Sequence, residues 1–125
     1  MSTAGKRMDA LLTKLYKEIP GTTIILSTLL PNGIAQNNVT EINEQYKSIY
    51  DTRHENNENI ILADMSDLIS TSHLVDKTHP DEYGYLKMAE AWLNAIKRAT
   101  KAKMIGPKSK NATRDVKSGS EQSGM

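Results

Sequence analysis

Apolar residues near the start of the chain first recur with a helical period and then form a continuous run. The recurring residues stand three or four positions apart: Met8, Leu11, Leu12, Leu15 and Ile19. This spacing predicts an amphipathic helix that ends before Pro20. The β-branched and aliphatic run over residues 22–30 then predicts a strand buried on both faces, closed by the turn residues after Pro31.

The same order of patterns returns in the second half of the chain. A helix is predicted over residues 39–53, with Asn38 and Glu41 at the spacing of a capping box. A short strand is predicted over residues 60–65, and after a Ser/Thr-rich loop a third helix over residues 80–100. The predicted buried face of that helix consists of Tyr85, Met88, Ala89, Trp92, Leu93 and Ile96.

Alternating helices and apolar strands predict an α/β fold with a parallel sheet. We expect a partial flavodoxin-like three-layer α/β/α sandwich, with two parallel strands and about three helices. Two strands are too few for an independently stable sheet, and the apolar run at 22–30 would keep an unpaired edge. We therefore interpret residues 1–100 as part of a larger domain. Residues 101–125 are predicted to be a disordered basic tail, because few apolar residues follow Ile105.

Composition and charge narrow the functional classes. The chain has 125 residues, a formal net charge of +1 and no cysteine, which excludes thiol chemistry and disulfides. Residues 101–125 carry an excess of four positive charges but no interleaved aromatic residues, so a nucleic-acid-binding module is a weak third hypothesis. No apolar run reaches the roughly 18 residues of a membrane span, and the N-terminus lacks a secretory h-region. Location and oligomeric state stay open.

The segment VDKTHPDEYGY, residues 75–85, contains the candidate chemistry. It follows the second predicted strand, and functional groups of open α/β sheets collect at the carboxyl ends of strands. Asp76, three residues before His79, is placed to accept the imidazole Nδ1–H and leave Nε2 as a base. Acidic residues around Pro80 at a helix start are also ordinary capping chemistry, so the spacing alone leaves both readings open.

The surrounding residues add a family resemblance. LADMSDLISTSHLVDKTHPDEYGYLKMAEAWLNAI, residues 62–96, closely resembles the C-terminal block of SGNH (GDSL-type) hydrolases, above all secreted microbial and fungal esterases of the acetyl xylan esterase type. Its specific part is Asp76-x-x-His79-Pro80, followed by Gly84-Tyr85 and Met88-Ala89. The resemblance extends more weakly over residues 7–99. It implies that Asp76 and His79 are catalytic, and that the complete enzyme cleaves acyl or acetyl esters, acetylated carbohydrate among them, without a metal or organic cofactor.

The chain departs from the family in what it lacks. Family members carry a G-D-S block with the nucleophilic serine, and a glycine and a G-x-N-D asparagine that complete the oxyanion hole; none of these motifs occurs in the 125 residues. We therefore expect the His/Asp-bearing C-terminal half of an SGNH hydrolase, inactive by itself. The alternative hypothesis is a non-catalytic remnant or pseudoenzyme that acts through partner binding.

Neighbouring side chains have weaker functional readings. His73, Asp76 and His79 together match none of the familiar zinc spacings, so a metal site is disfavoured. Trp92 and Tyr85 are expected in the core. Tyr83 is a candidate for the rim of a substrate site.

Overall fold

The computed structural model describes residues 3–105, which form three helices and two parallel strands. In chain order these are α1 (Thr3–Glu18), β1 (Ile24–Ser27), α2 (Gln36–Glu55), β2 (Ile60–Ala63) and α3 (Glu82–Lys101). Two short 3₁₀ helices, Met65–Asp67 and Thr71–His73, lie between β2 and α3. The predicted α/β arrangement is confirmed. Of the predicted tail, only residues 101–105 are described, and they form the end of α3 and the turn after it.

The two-stranded sheet lies between two layers of helices. β1 and β2 pair in register from Ile24 opposite Ile60 to Ser27 opposite Ala63. On one face, Ile61 and Ala63 pack in a cluster with alanines of α3. On the other face, the buried cluster draws on α1, α2 and both strands: Leu12, Leu26, Ile49 and Ile60. The side chains of successive strand residues point to opposite faces, which is why each strand contributes to both clusters.

β1 is much shorter than the strand predicted over residues 22–30, and that prediction is wrong in length. The last ladder bond runs from the Thr28 N–H to the Ala63 carbonyl, at 3.1 Å. The buried side chain of Asn43, on α2, then forms hydrogen bonds with both backbone groups of Leu29. Its Oδ1 accepts the Leu29 N–H at 2.7 Å, and its Nδ2 donates to the Leu29 carbonyl at 3.2 Å. A side-chain amide thus replaces a neighbouring strand and lets the chain leave the sheet with its polar groups paired.

α3 presents small residues to the sheet, whereas large ones were predicted. Ala91, Ala95 and Ala99 are buried. Of the predicted buried face only Met88 is packed against this core, and Tyr85 and Trp92 are 57% and 36% exposed. The prediction of a core position for Tyr85 and Trp92 is therefore wrong. Alanines let the helix axis approach the sheet closely, which leaves the larger side chains on its flank.

The start of α2 also differs from its predicted capping box. The N-cap residue is Ala35, which makes no side-chain capping bond, and Asn38 lies inside the helix. Asn32 instead orders the turn that leads into the helix, because its Oδ1 accepts the N–H groups of Ile34 and Ala35 at 2.8 and 2.9 Å. Within residues 3–105, no helix combines the length and the apolar character needed to cross a membrane.

Candidate functional site

The loop that carries Asp76 and His79 is closed on itself before α3 begins. Leu74 and Pro80 form an isolated antiparallel bridge, and the Val75 N–H donates to the His79 carbonyl at 2.7 Å. The loop follows β2, so it stands at the carboxyl edge of the sheet, where open α/β folds place their functional groups. The bridge holds both ends of the loop, with Asp76 and His79 near its tip.

Asp76 uses both of its carboxylate oxygens within this loop. Oδ1 accepts the backbone N–H groups of Thr78 and His79 at 3.1 and 2.7 Å. Oδ2 lies 2.8 Å from Nδ1 of the His79 ring. Asp side chains commonly bond backbone groups two or three residues ahead, so the D-x-x-H spacing produces this geometry locally. The structure therefore brings the two sequence-predicted site residues into direct contact.

The hydrogen bonds to Asp76 also set its charge. They lower the pKa of its carboxyl to about 2, chiefly through the His79 N–H and then through the His79 ring. Asp76 is thus ionised at neutral pH and acts only as an acceptor, so Nδ1 of His79 is the donor of the pair. The neutral ring then has its lone pair on Nε2, which makes no hydrogen bond to any residue between 3 and 105. The His79 side chain is 69% exposed, so Nε2 is open to a reacting group.

A contact from the loop after β1 supports the tip of this site. Lys77 has a φ of 70°, a left-handed conformation that bulky residues rarely adopt. Its carbonyl accepts the Gly33 N–H at 2.7 Å, and a Cβ at Gly33 would lie 2.8 Å from the Lys77 Cβ. Glycine is therefore needed at position 33 to let the two loops meet. Sequence reasoning treated Gly33 only as a turn residue and missed this role.

A second close approach holds the base of the loop against α3. A Cβ at Gly84 would lie 2.8 Å from the His73 carbonyl oxygen and 2.9 Å from the Pro80 Cβ. Asp81 is the N-cap of α3 and accepts the Gly84 N–H at 2.7 Å. The expectation that Pro80 occupies the first helical position is wrong, because Pro80 precedes the cap and is buried in the bridge with Leu74.

The neighbouring histidine has a structural partner of its own. His73 Nδ1 accepts the Ser70 N–H at 3.2 Å, and its ring meets that of Tyr83 edge to face at 4.8 Å. The Lys87 ammonium lies 5.3 Å from the centre of the same Tyr83 ring. Half of Tyr83 remains exposed, so its place at a substrate rim stays a prediction. Among residues 3–105, no group of three His, Asp or Glu side chains is arranged to hold a metal ion.

A polar network joins the carboxyl ends of the two strands beneath the site. The buried Thr28 hydroxyl accepts the Met65 N–H at 2.8 Å and donates to Asp64 Oδ1 at 3.2 Å. Asp64 also binds Ser66 and forms an ion pair with Lys47 at 3.2 Å. Partial burial raises the pKa of Asp64, but the bonds from Ser66 and Lys47 outweigh it and the net pKa is lowered. The network anchors the start of the loop that ends at His79.

The serines between residues 3 and 105 form hydrogen bonds elsewhere or, in the case of Ser48, lie within α2. Ser66 donates to Asp64, and Ser70 and Ser72 share a hydrogen bond of 2.7 Å. Between residues 3 and 105, no serine forms a hydrogen bond with His79. Within the described residues, the His79 ring forms a hydrogen bond with Asp76 and with no hydroxyl group.

An open groove of about 570 Å³ lies at the opposite edge of the sheet, where the strands begin. Its charged groups and its tyrosine are already paired. Arg53 binds Asp9 and Glu58, and the Tyr16 hydroxyl donates to the Asn59 carbonyl at 2.8 Å. We therefore place the candidate chemistry at the Asp76–His79 loop and not in this groove.

An ionised carboxylate that orients an exposed imidazole at the carboxyl edge of a parallel sheet is an arrangement suited to general acid–base catalysis. Over 105 residues the chain is 29% identical to a multidomain esterase from Ruminococcus flavefaciens, which supports an esterase-like relation. The similarity covers 78% of this chain and 13% of the esterase, so the chain spans only a small part of that relative. No protein-family model matches the chain, and no solved structure matches it.

Proposed function

We propose that this chain carries the acid–base half of an SGNH-type carboxylic-ester hydrolase, with Asp76 and His79 as its catalytic pair. The observation that carries the proposal is the 2.8 Å contact between Asp76 Oδ2 and His79 Nδ1, with Nε2 exposed at the carboxyl edge of the sheet. The similarity to a multidomain esterase supports the same class of reaction. The D-x-x-H-P loop, with its Gly-Tyr and Met-Ala residues, supports the SGNH type.

In the proposed reaction, His79 acts as the base for a serine of a G-D-S block. Residues 1–125 contain no such block, so another segment supplies that serine. Nε2 takes the proton of the serine hydroxyl while its oxygen adds to the ester carbonyl carbon, and the imidazolium returns that proton to the departing alcohol. A water then repeats the sequence on the acyl-enzyme and releases the carboxylic acid. Asp76 keeps the ring in the Nδ1–H tautomer and stabilises the imidazolium.

The proposal further holds that the chain by itself has little or no esterase activity. Without a serine nucleophile the acyl group of the ester has no acceptor on the chain and no acyl-enzyme forms. Electrostatic stabilisation of the oxyanion, usually a large contribution, requires donors from the G-D-S and G-x-N-D blocks. The substrate class proposed for the complete site is an acyl or acetyl ester, acetylated carbohydrate included.

Fusion tests the proposal directly. A segment of an SGNH-type esterase that carries the G-D-S and G-x-N-D blocks is joined ahead of α1, and hydrolysis of p-nitrophenyl acetate is measured together with fluorophosphonate labelling. We expect turnover and labelling in the fusion and neither in the chain alone. His79→Ala should remove turnover, whereas His54→Ala, an exposed histidine at the end of α2, should not. A folded fusion without His79-dependent turnover would favour the non-catalytic remnant.

A further inference from the structure

The outer edge of β2 is capped by a side chain of this chain, whereas the outer edge of β1 is not. The N–H of Ile24 donates to the Asn59 carbonyl, and the N–H of Thr28 donates to the Ala63 carbonyl. The backbone polar groups of Ile24 and Thr28 therefore point toward β2. By the same alternation, the polar groups of Ile25 and Ser27 face away from β2, and those of Leu62 face away from β1. Each strand therefore has one outer edge whose groups need a partner.

The outer edge of β2 is capped within the chain. The guanidinium of Arg98, on α3, donates through Nη2 to the carbonyl of Leu62. A long charged side chain across a strand edge is one of the ways in which proteins block further strand pairing. β2 is therefore built as a terminal strand.

Along Ile24–Ser27 the outer edge of β1 has no such protection, and only beyond the end of the strand does the Asn43 side chain pair the backbone of Leu29. The strand sequence Ile24–Ser27 contains no proline and no charge, and no hydrogen bond from a residue between 3 and 105 reaches the outward backbone groups of Ile25 and Ser27. Three of its four side chains are only partly buried, although the strand is almost wholly aliphatic. Such an edge is a template for the addition of another strand.

An apolar stripe on α3 faces the same side of the molecule. At about 100° per residue, Ile96 lies roughly 100° to one side of the buried Ala95, and Arg98 lies roughly 60° to the other. Since Arg98 reaches the outer edge of β2, the flank that carries Ile96 is turned toward β1 and beyond it. The exposed apolar residues of this flank are Tyr85, Ala89, Trp92, Leu93 and Ile96, while Glu82 and Thr100 lie on the same flank at the two ends of the helix. Ile96 is 43% exposed, and between Tyr85 and Ile96 the flank carries no charge.

We propose that the outer edge of β1 and this apolar flank of α3 form one docking surface for a strand-plus-helix segment of an esterase, added parallel to β1. The inference rests on the proposed function and names the partner of that site. An open strand edge beside an open helix flank matches one repeating unit of an α/β fold, a strand and its covering helix. Because the region that matches this chain is only 13% of the multidomain esterase, we place the partner segment in an esterase chain of that kind.

The parallel orientation follows from the position of His79. A parallel strand beside β1 would end at the same carboxyl edge, so the loop after it would lie next to residues 31–33. Gly33 already contacts Lys77 in the catalytic loop, which brings the new loop to the side of the His79 ring. A second copy of this chain, paired about a twofold axis, would add an antiparallel strand and carry its own His79 to the opposite edge. The second copy would therefore not complete the site.

The test uses the full 125-residue chain and, as a separate polypeptide, the SGNH-type segment with its G-D-S serine replaced by alanine. Amide hydrogen exchange should slow at Ile25 and Ser27 when the segment is added, and stay unchanged at Leu62. Ser27→Pro removes an outward N–H and leaves the ladder to β2 intact, so it should weaken binding about tenfold or more. Ile96→Lys should weaken binding similarly, while Asn94→Lys, a change at another exposed position outside the flank, should not.

Binding that leaves Ile25 and Ser27 unprotected, or that ignores both Ser27→Pro and Ile96→Lys, would overturn the docking surface, as would a complete lack of binding. So would sedimentation of the chain alone as a dimer through this same edge. These outcomes leave the catalytic proposal standing, since the covalent fusion tests it without requiring affinity between separate chains. Protection at β1 together with an inactive fusion would instead keep the surface and reject the ester hydrolase.

Discussion

Asp76 binds the amide of His79 with one oxygen and the ring of His79 with the other, at 2.7 and 2.8 Å. The same residue therefore fixes both the backbone and the side chain of the candidate base. This double contact makes the orientation of the imidazole a property of a four-residue turn. It also means that the pair can be examined in the chain alone, before any nucleophile is supplied.

The tautomer of His79 should depend on the charge of Asp76. Asp76→Asn keeps an oxygen for the Thr78 and His79 amides but turns a donor NH₂ toward the ring. We expect the neutral ring to change from the Nδ1–H to the Nε2–H form, read from its ¹⁵N chemical shifts. Asp67→Asn, in the exposed part of the preceding loop, is the control and should leave the ring unchanged. Identical tautomers in the chain and in Asp76→Asn would refute the assigned donor.

Acid should remove the contribution of Asp76 to stability. Its folded pKa of about 2 lies below the unfolded value of about 3.9, so the ionised carboxyl stabilises the fold above the unfolded pKa and ceases to do so as the pH falls through the folded pKa. The difference in melting temperature between the chain and Asp76→Asn should therefore shrink from about pH 5 to about pH 2. Asp51→Asn, which removes no hydrogen bond or ion pair within residues 3–105, should give no such trend.

Gly33→Ala should displace Asp76 and His79, although Gly33 lies outside the loop that carries them. The new methyl would lie 2.8 Å from the Lys77 Cβ, so the loop at Gly33 and the loop at Lys77 must move apart. We expect changed amide resonances for Asp76 and His79 and slower turnover in the fused enzyme. Gly21→Ala is the matched control: its φ of 82° makes alanine cost about 1 kcal/mol, but no atom lies within 4 Å of the new methyl. That variant should lose stability while the resonances of the site loop stay in place.

Thr28→Val should destabilise the fold beneath the site. It leaves the buried Met65 N–H without its acceptor at 2.8 Å, a loss of about 1–3 kcal/mol in the free energy of unfolding. Thr28→Ser keeps the hydroxyl and should lose only about 1 kcal/mol for the missing methyl. Denaturant titration of both variants measures the difference. Equal losses in the two variants would mean that the hydroxyl does not hold the loop.

Local patterns predicted the elements well where the residues in contact are near one another in sequence. The spacing of Asp76 and His79 was enough to anticipate their contact, because both lie on one short turn. The helical periods and apolar runs located three helices and two strands. Strand length was overestimated, since β1 stops where Asn43, from another element, captures the backbone of Leu29.

The helix faces were harder to predict for a related reason. In α3 the apolar residues cover more than one face, and hydrophobicity alone does not say which part of them meets the sheet. The alanines of α3 face the sheet because their small side chains permit the closest approach to Ile61 and Ala63. The same decision exposed Trp92 and Ile96, which a sequence-based reading assigned to the core.

The sequence by itself determined the α/β order of the chain, the absence of a G-D-S block and the local Asp76–His79 pair. These depend on periodicity, on composition and on residues three positions apart. Only the tertiary structure decided that Gly33 must support Lys77, that Thr28 anchors the loop, and that Arg98 closes one sheet edge while β1 stays open. Those relationships join residues about 36 to 44 positions apart, where packing geometry and not local preference selects the partners.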